Sequence, residues 1–268
     1  MASGIYNMKK IIRKLKFIHI FKNFLKINIF ISFKNTKYNF EEIKSNEFIL
    51  HHHLGLGDAI ICNGIVNYLS TKFKNIILPV YEKNYEQLSF LYSENKNVKL
   101  IKINHKKDIY SQKLNHEVLR VGFEKNYGKF NISFYDQLNL PYSISFDYFN
   151  LPVNKEKEDE LYKHLFNVYG ISDRYKLVHQ TSSYGKVEIK LKNDVPAIYV
   201  EKETDIFNNI FLYHKLIKNA EEIHCIDSSF LHLVERIPTD AKLYFHAVKK
   251  ESMVSEKLEL YKNWNIII

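Results

Sequence analysis

Cysteine is scarce in this 268-residue chain, where Cys62 and Cys225 are the only two. Both lie in apolar stretches, which excludes a disulfide scaffold and fits buried thiols in a reducing compartment. Long apolar runs are missing as well. No uninterrupted stretch approaches the about 18 residues that a spanning helix needs, so no membrane span is expected. Lysines break up the apolar residues near the N-terminus and no small-residue cleavage site follows, so a secretory signal is not expected. Residues 1–40 contain no acid but nine basic residues: Lys9, Lys10, Arg13, Lys14, Lys16, Lys22, Lys26, Lys34 and Lys37. Acids and bases balance over the remainder, so the whole formal charge of +9 sits in this arm. No nucleic-acid-binding motif accompanies the charge, and nucleic acid is not an expected partner.

What is present is a soluble-protein composition with enough length for one large domain or two small ones. In the arm, Ile11, Leu15, Ile18, Phe21 and Leu25 recur at spacings of four and three, as one helical face requires. Lys9, Arg13 and Lys16 repeat on another face. Such a helix, over residues 8–31, can lie on an anionic membrane surface, where each basic residue is worth about 1 kcal/mol; the alternative is a solvated helix packed on the protein. Met8 is a second possible start.

Beyond the arm, strand-like and helix-like segments alternate. Strands are expected over 48–53, 75–80 and 98–103, with helices over 58–73 and 84–92 between them, which is the pattern of a parallel sheet with crossover helices. A strand over 118–123 and a short helix over 134–138 follow. The polar break at Leu151-Pro152-Val153-Asn154 marks a domain boundary, giving an arm (1–45), a first domain (46–153) and a second (154–268). The second domain repeats the alternation, with helices over 158–169, 207–219 and 228–236 and strands over 175–180, 197–200, 222–226 and 241–245. Gly170 is the expected C-cap of the first of these helices.

Two strand-to-helix turns carry the chemistry. The first is His52-His53-Leu54-Gly55-Leu56-Gly57-Asp58. Gly55 and Gly57 allow positive φ and close backbone approach. The third glycine of a dinucleotide fingerprint is missing and no acid ends the next strand, so an NAD site is not expected. Asp58 opens a helix, as an N-cap or as a reactive carboxylate. In a strand only His51 and His53 share a side, and neither cysteine nor carboxylate joins them, so a pocket-lining role for His53 or His52 is expected in place of a metal site. The second turn is Asp227-Ser228-Ser229-Phe230-Leu231-His232. It offers a carboxylate, two hydroxyls and the free N–H groups of a helix start, which suit a diphosphate; capping is the competing use. His179 ends the first strand of the second domain, and the turn Thr181–Gly185 leads to Lys186, a candidate counter-charge for phosphate, with Lys190 as competitor.

Together the Gly57-Asp58 turn and the Asp227–His232 segment resemble the two hallmark motifs of the heptosyltransferases, inverting GT-B glycosyltransferases of lipopolysaccharide core synthesis. Ser229 stands where that family usually has glycine, Phe230 where it has proline or a small residue, and Val234-Glu235-Arg236 replaces an alanine-rich run, so the resemblance implies a divergent relative and no particular donor sugar. It implies a GT-B-like α/β fold, two Rossmann-like α/β/α domains facing a central cleft. It further implies Asp58 as general base; Lys186, Asp227, Ser228, Ser229, His232 and His179 at the donor; and His53, Gly55 and Gly57 on the acceptor side. The expected activity is inverting, metal-independent transfer from a nucleotide sugar to a glycan or lipid-linked acceptor in surface polysaccharide or lipopolysaccharide synthesis, with no cofactor. The expected place is the cytoplasm, on the inner face of the membrane. The alternative is a non-catalytic nucleotide- or glycan-binding α/β protein descended from such a transferase.

Overall fold

The computed structural model describes residues 36–106, 108–109, 116–123, 128–183, 185–191, 194–247 and 258–268. The basic helix expected at residues 8–31 lies outside them. The described chain forms two five-stranded parallel sheets flanked by helices, in a bilobed α/β arrangement. Among the described residues, no helix is long and apolar enough to cross a membrane.

The first sheet is built from β1 (Thr36–Lys37), β2 (Glu47–His51), β3 (Asn75–Tyr81), β4 (Val98–Ile103) and β5 (Glu117–Arg120), in the order β1-β5-β2-β3-β4. Phe48, Ile49, Leu50, Ile76, Leu78 and Val80 are buried, the near-continuous apolar pattern of strands covered on both faces. Pro79 lies beyond the last β2–β3 pair, Ile49 with Ile77, so its missing N–H leaves no β2 ladder bond unmade. The chain runs outward from β2 to β4 and returns to β5 on the other side of β2. That reversal puts a topological switch point at the carboxyl ends of β2 and β5. Because β1 pairs with β5, the sheet begins inside the stretch assigned to the arm.

The second sheet has the order β12-β11-β10-β6-β9, from β6 (Lys176–His179), β9 (Ala197–Tyr199), β10 (Glu222–Cys225), β11 (Lys242–His246) and β12 (Trp264–Ile267). Between β6 and β9, β7 (Thr181–Ser182) and β8 (Gly185–Lys186) form an antiparallel hairpin. Here β6 and β10 flank the reversal, so both switch points fall where the two motif turns leave their strands.

Helix α1 (Leu56–Ser70) is apolar nearly all round and its inward residues include Ile60, Ile61, Ile65, Val66 and Leu69. Such a helix belongs in a core, not on a surface, and α1 lies between the lobes. It starts two residues earlier and ends three earlier than its apolar pattern suggests. The remaining helices are α2 (Tyr85–Leu91), α3 (Phe130–Asp136), α4 (Ile144–Asp147), α5 (Lys155–Tyr169), α6 (His214–Asn219) and α7 (Ser229–Val234). Asn154 caps α5 through the Lys157 N–H, and Gly170 ends it at φ 63° as expected. The continuous helix expected over 207–219 is instead a 3-10 turn, Ile210–Tyr213, leading into α6. Asp205 accepts the N–H groups of Phe207 and Asn209, an alternative to helical bonding that delays the start. Buried residues of both lobes form one apolar cluster, from Phe48 and Ile60 to Leu177 and Phe230.

Gly64 is where α1 meets α4. A methyl group there would stand 2.3 Å from the Ile144 carbonyl oxygen and 2.9 Å from Ser145 Cα, both backbone. Gly64→Ala should therefore lower the unfolding free energy by about 1–3 kcal/mol, the usual cost of overpacking, measured by denaturant titration. An unchanged midpoint would refute that close approach.

Burial also depresses five histidines: His52, His179 and His246 to about 4, His232 to about 3, and His224 below its ordinary value. Each is neutral in the fold and takes up a proton near its ordinary value of about 6.5 once unfolded. Their stabilising contribution is thus complete above pH about 6.5 and declines as the pH falls toward 4. Unfolding followed across that interval should show net proton uptake and a falling midpoint. A flat profile would contradict the burial of these rings.

Candidate functional site

The first turn is held by its own backbone. Gly55 N–H points both to the His53 carbonyl, at 2.5 Å, and to Asp58 Oδ2, at 3.1 Å. Asp58 therefore caps α1 from its first turn, and its half-buried carboxyl group is raised above the ordinary Asp range by burial. His53, the Gly55 and Asp58 amides and Lys106 oppose that shift. Of the two freedoms the glycines allow, positive φ is not used at either. Leu54 takes the left-handed conformation at φ 53°, while Gly55 is extended at φ −72°. The glycines serve close approach. A methyl group on Gly55 would lie 2.4 Å from Asp58 Oδ2, and one on Gly57 would lie 3.2 Å from His232 Cδ2 and 3.5 Å from Ser229 Cα.

His53 is fixed in place. Its ring stacks on Phe123 at 4.5 Å, meets Phe130 and Phe134 edge-on, and contacts the Gly122 carbonyl through Nε2 at 2.5 Å. A carbonyl can only accept, so Nε2 carries the proton and Nδ1 is left as the basic nitrogen in the neutral ring.

On the second lobe, Ser228 is the N-cap of α7, with its hydroxyl 3.5 Å from the Leu231 N–H and 2.9 Å from His179 Nδ1. With His179 neutral and its Nδ1 receiving the hydroxyl proton, Nε2–H remains as that ring's donor. His179 stacks on Phe230, which meets Tyr213 edge-on. Asp227 is exposed at the end of the strand, and burial of its surroundings holds its carboxyl above the ordinary range. His232 is buried under the lobe contact beside Gly57 and off the cavity wall; burial and the neighbouring Arg236 keep it neutral. Arg236, just past α7, donates to the His232 carbonyl at 2.9 Å and to Ser145 Oγ of α4, clamping one lobe to the other.

A cavity of about 650 Å³ opens between the lobes. The second lobe contributes His179, Lys186 and Ser229 from the expected donor set, together with Glu201 and Asp205; the first lobe contributes Leu56, Lys83, Asn84 and Gln87. Lys186 lines it and Lys190 does not, which separates the two candidate lysines. Lys186 is held by Glu201 at 2.9 Å, a half-exposed pair that a polyanion could readily displace. Asp58 is not on the cavity wall, although Leu56 in the same helical turn is. Lys83, Asn84, Gln87, Glu201 and Asp205 had no motif to announce them. They come from loops and helix starts whose side chains converge only after folding.

Among the described residues, no cluster of three or more His, Cys, Asp or Glu side chains is disposed to hold a metal ion.

No protein-family model and no curated protein matches the chain in sequence. Solved structures do match in shape. The crystal structure of a family 9 glycosyl transferase from Veillonella parvula DSM 2008 superposes with a TM-score of 0.54 at 10% identity, over 83% of this chain and 87% of the other. The structure of E. coli ADP-heptose lps heptosyltransferase II gives a TM-score of 0.54 at 9% identity, over 82% of this chain and 90% of the other. At such identities the likeness is one of fold: the chain has the bilobed GT-B-like architecture that these glycosyltransferases share.

Proposed function

We propose that the chain is an inverting glycosyltransferase of the GT-B type, moving a sugar from a nucleotide-sugar donor to a glycan or lipid-linked acceptor of a surface polysaccharide. The observation that carries this reading is the meeting of the two motif turns. Gly57 packs on Ser229 and His232, and Leu56 and Ser229 line one cavity together with Lys186. This supports a reading in which the Asp58 carboxylate, next in sequence to Gly57, works opposite the groups of the second lobe assigned to the diphosphate.

In this reading the donor's diphosphate lies against Ser229 and Lys186, with His179 donating from Nε2. Lys186 exchanges Glu201 for the diphosphate. Asp58 takes the proton from an acceptor hydroxyl while that oxygen attacks the anomeric carbon. The bond from this carbon to the diphosphate breaks, and its electron pair leaves with the nucleotide. Lys186 and the nearby amides offset the growing charge, so the scheme needs no metal ion. Burial suits Asp58 to the task, because a carboxylate raised above its ordinary range is a better base. The basic stretch at residues 8–31 would hold the enzyme on the inner, anionic face of a membrane, near a lipid-linked acceptor.

Asp58→Ala should lower transfer by about 10²–10⁴-fold and leave nucleoside diphosphate affinity within a few-fold of the parent. In the parent, the acid limb of kcat/KM should lie above the pH typical of an exposed Asp, since the base works only when ionised and its pKa is raised. Undiminished turnover by the alanine variant would dismiss Asp58 as the base. A matching nucleoside diphosphate at 100 times its Kd should add about 2.7 kcal/mol of stability, read as a rise in Tm. Removing residues 1–31, which stops short of β1, should release the protein from anionic liposomes. Unchanged sedimentation would discard the anchor.

A further inference from the structure

We propose that Asn84, assisted by Gln87, is a specificity determinant that hydrogen-bonds hydroxyl groups of the transferred sugar; this rests on the glycosyltransferase reading and extends it. Asn84 follows the carboxyl end of β3 and occupies the N-cap position of α2. Asparagine favours that position because its side-chain oxygen can accept a helix N–H. Asn39, Asn154 and Asn209 do this here, accepting from Glu41, Lys157 and Phe211. Asn84 does not: it is the last residue of the 3-10 turn Glu82–Asn84 and is helical itself (φ −107°, ψ −1°), so its side chain is not drawn into a cap bond. It is only 9% exposed and lines the cavity between the lobes. A neutral amide on the cavity wall, not engaged in capping, is placed to meet a ligand that enters the cavity.

The place of the wall indicates which part of the ligand. The side chains assigned above to the diphosphate, His179, Lys186 and Ser229, come from the second lobe, and the proposed base Asp58 lies in the first turn of α1 in the first. During transfer the sugar must lie between the leaving diphosphate and the base. First-lobe side chains on the cavity wall therefore face the sugar more closely than the nucleotide. Gln87 joins the same wall and bridges the lobes: its Oε1 accepts the Ile210 N–H at 3.3 Å, which leaves its NH₂ group for the cavity. An amide offers both donors and acceptors without charge, which suits the alternating donor and acceptor character of sugar hydroxyls.

The test compares each nucleoside diphosphate with its nucleotide sugar on the full chain, by calorimetric titration of the parent, Asn84→Ala and Asn84→Ser. Loss of one or two hydrogen bonds should weaken nucleotide-sugar binding by about five- to tenfold while nucleoside diphosphate affinity stays within twofold. The serine variant, which keeps a hydroxyl, should lie between the two. Equal weakening of both ligands would overturn the proposal, because Asn84 would then read the nucleotide; so would no weakening in either variant. A parent protein that binds no nucleoside diphosphate at all would instead bring down the transferase reading on which the proposal rests. If Asn84→Ala does not fold, the serine variant decides alone by the same ratio.

Discussion

The contact of Gly57 with Ser229 and His232 is the constraint on which the rest of the structure depends. It joins the first turn of α1 to the first turn of α7, and each of these helices follows directly from a central strand of its own sheet. Fixing the two turns against each other fixes the two switch points against each other. Everything nearby reinforces this. Helix α1 has no fully exposed residue, a single apolar cluster runs through both lobes, and Arg236 spans from α7 to Ser145. Near the C-terminus, Asn131 of the first lobe pairs with the backbone of Glu259, while Glu235 of the second holds Tyr261 and Trp264. The lobes are welded at their centre and open at the side where the cavity lies.

That arrangement divides the charged and neutral work of the site. The histidines nearest the lobe contact are neutral because burial is costly for a cation, so they donate and accept hydrogen bonds without supplying charge. Positive charge comes from exposed lysines at the cavity, of which Lys186 already has Glu201 as a partner. A site of this kind can bind and release a polyanion without leaving a bare cation behind. Asp58 is the reverse case, a carboxylate drawn partly out of water yet tied to the Gly55 amide, which positions it while burial strengthens it as a base.

Much of the architecture was legible because it follows from local rules. The apolar runs at 48–50 and 76–80 read as strands because they are short and rich in β-branched or aromatic side chains, too short for a buried helix. Gly170 stops α5 where a left-handed residue is needed. The legible part of the candidate site was the pair of turns, since a strand feeding a helix through Gly55–Asp58 or Asp227–Ser229 leaves a recognisable signature. Other features escaped. Leu54, not a glycine, takes the positive φ, while Gly55 and Gly57 are small where their neighbours come close. The delayed start of α6 depends on where the Asp205 side chain finds its partners. Asn84 and Gln87 look like ordinary helix-start residues in the sequence.

What the sequence determined by itself was the list of parts: parallel strands with crossover helices, two motif turns, and the concentration of positive charge in residues 1–40. These depend on periodicity, chain stiffness and near-neighbour bonding, all of which act over a few residues. Only the tertiary structure decided that Gly57 would lie against Ser229, that Lys186 and not Lys190 would face the cavity, and that the first lobe would complete its wall. Those outcomes join residues more than a hundred positions apart, and they are settled by how whole helices and sheets fill the space between the lobes.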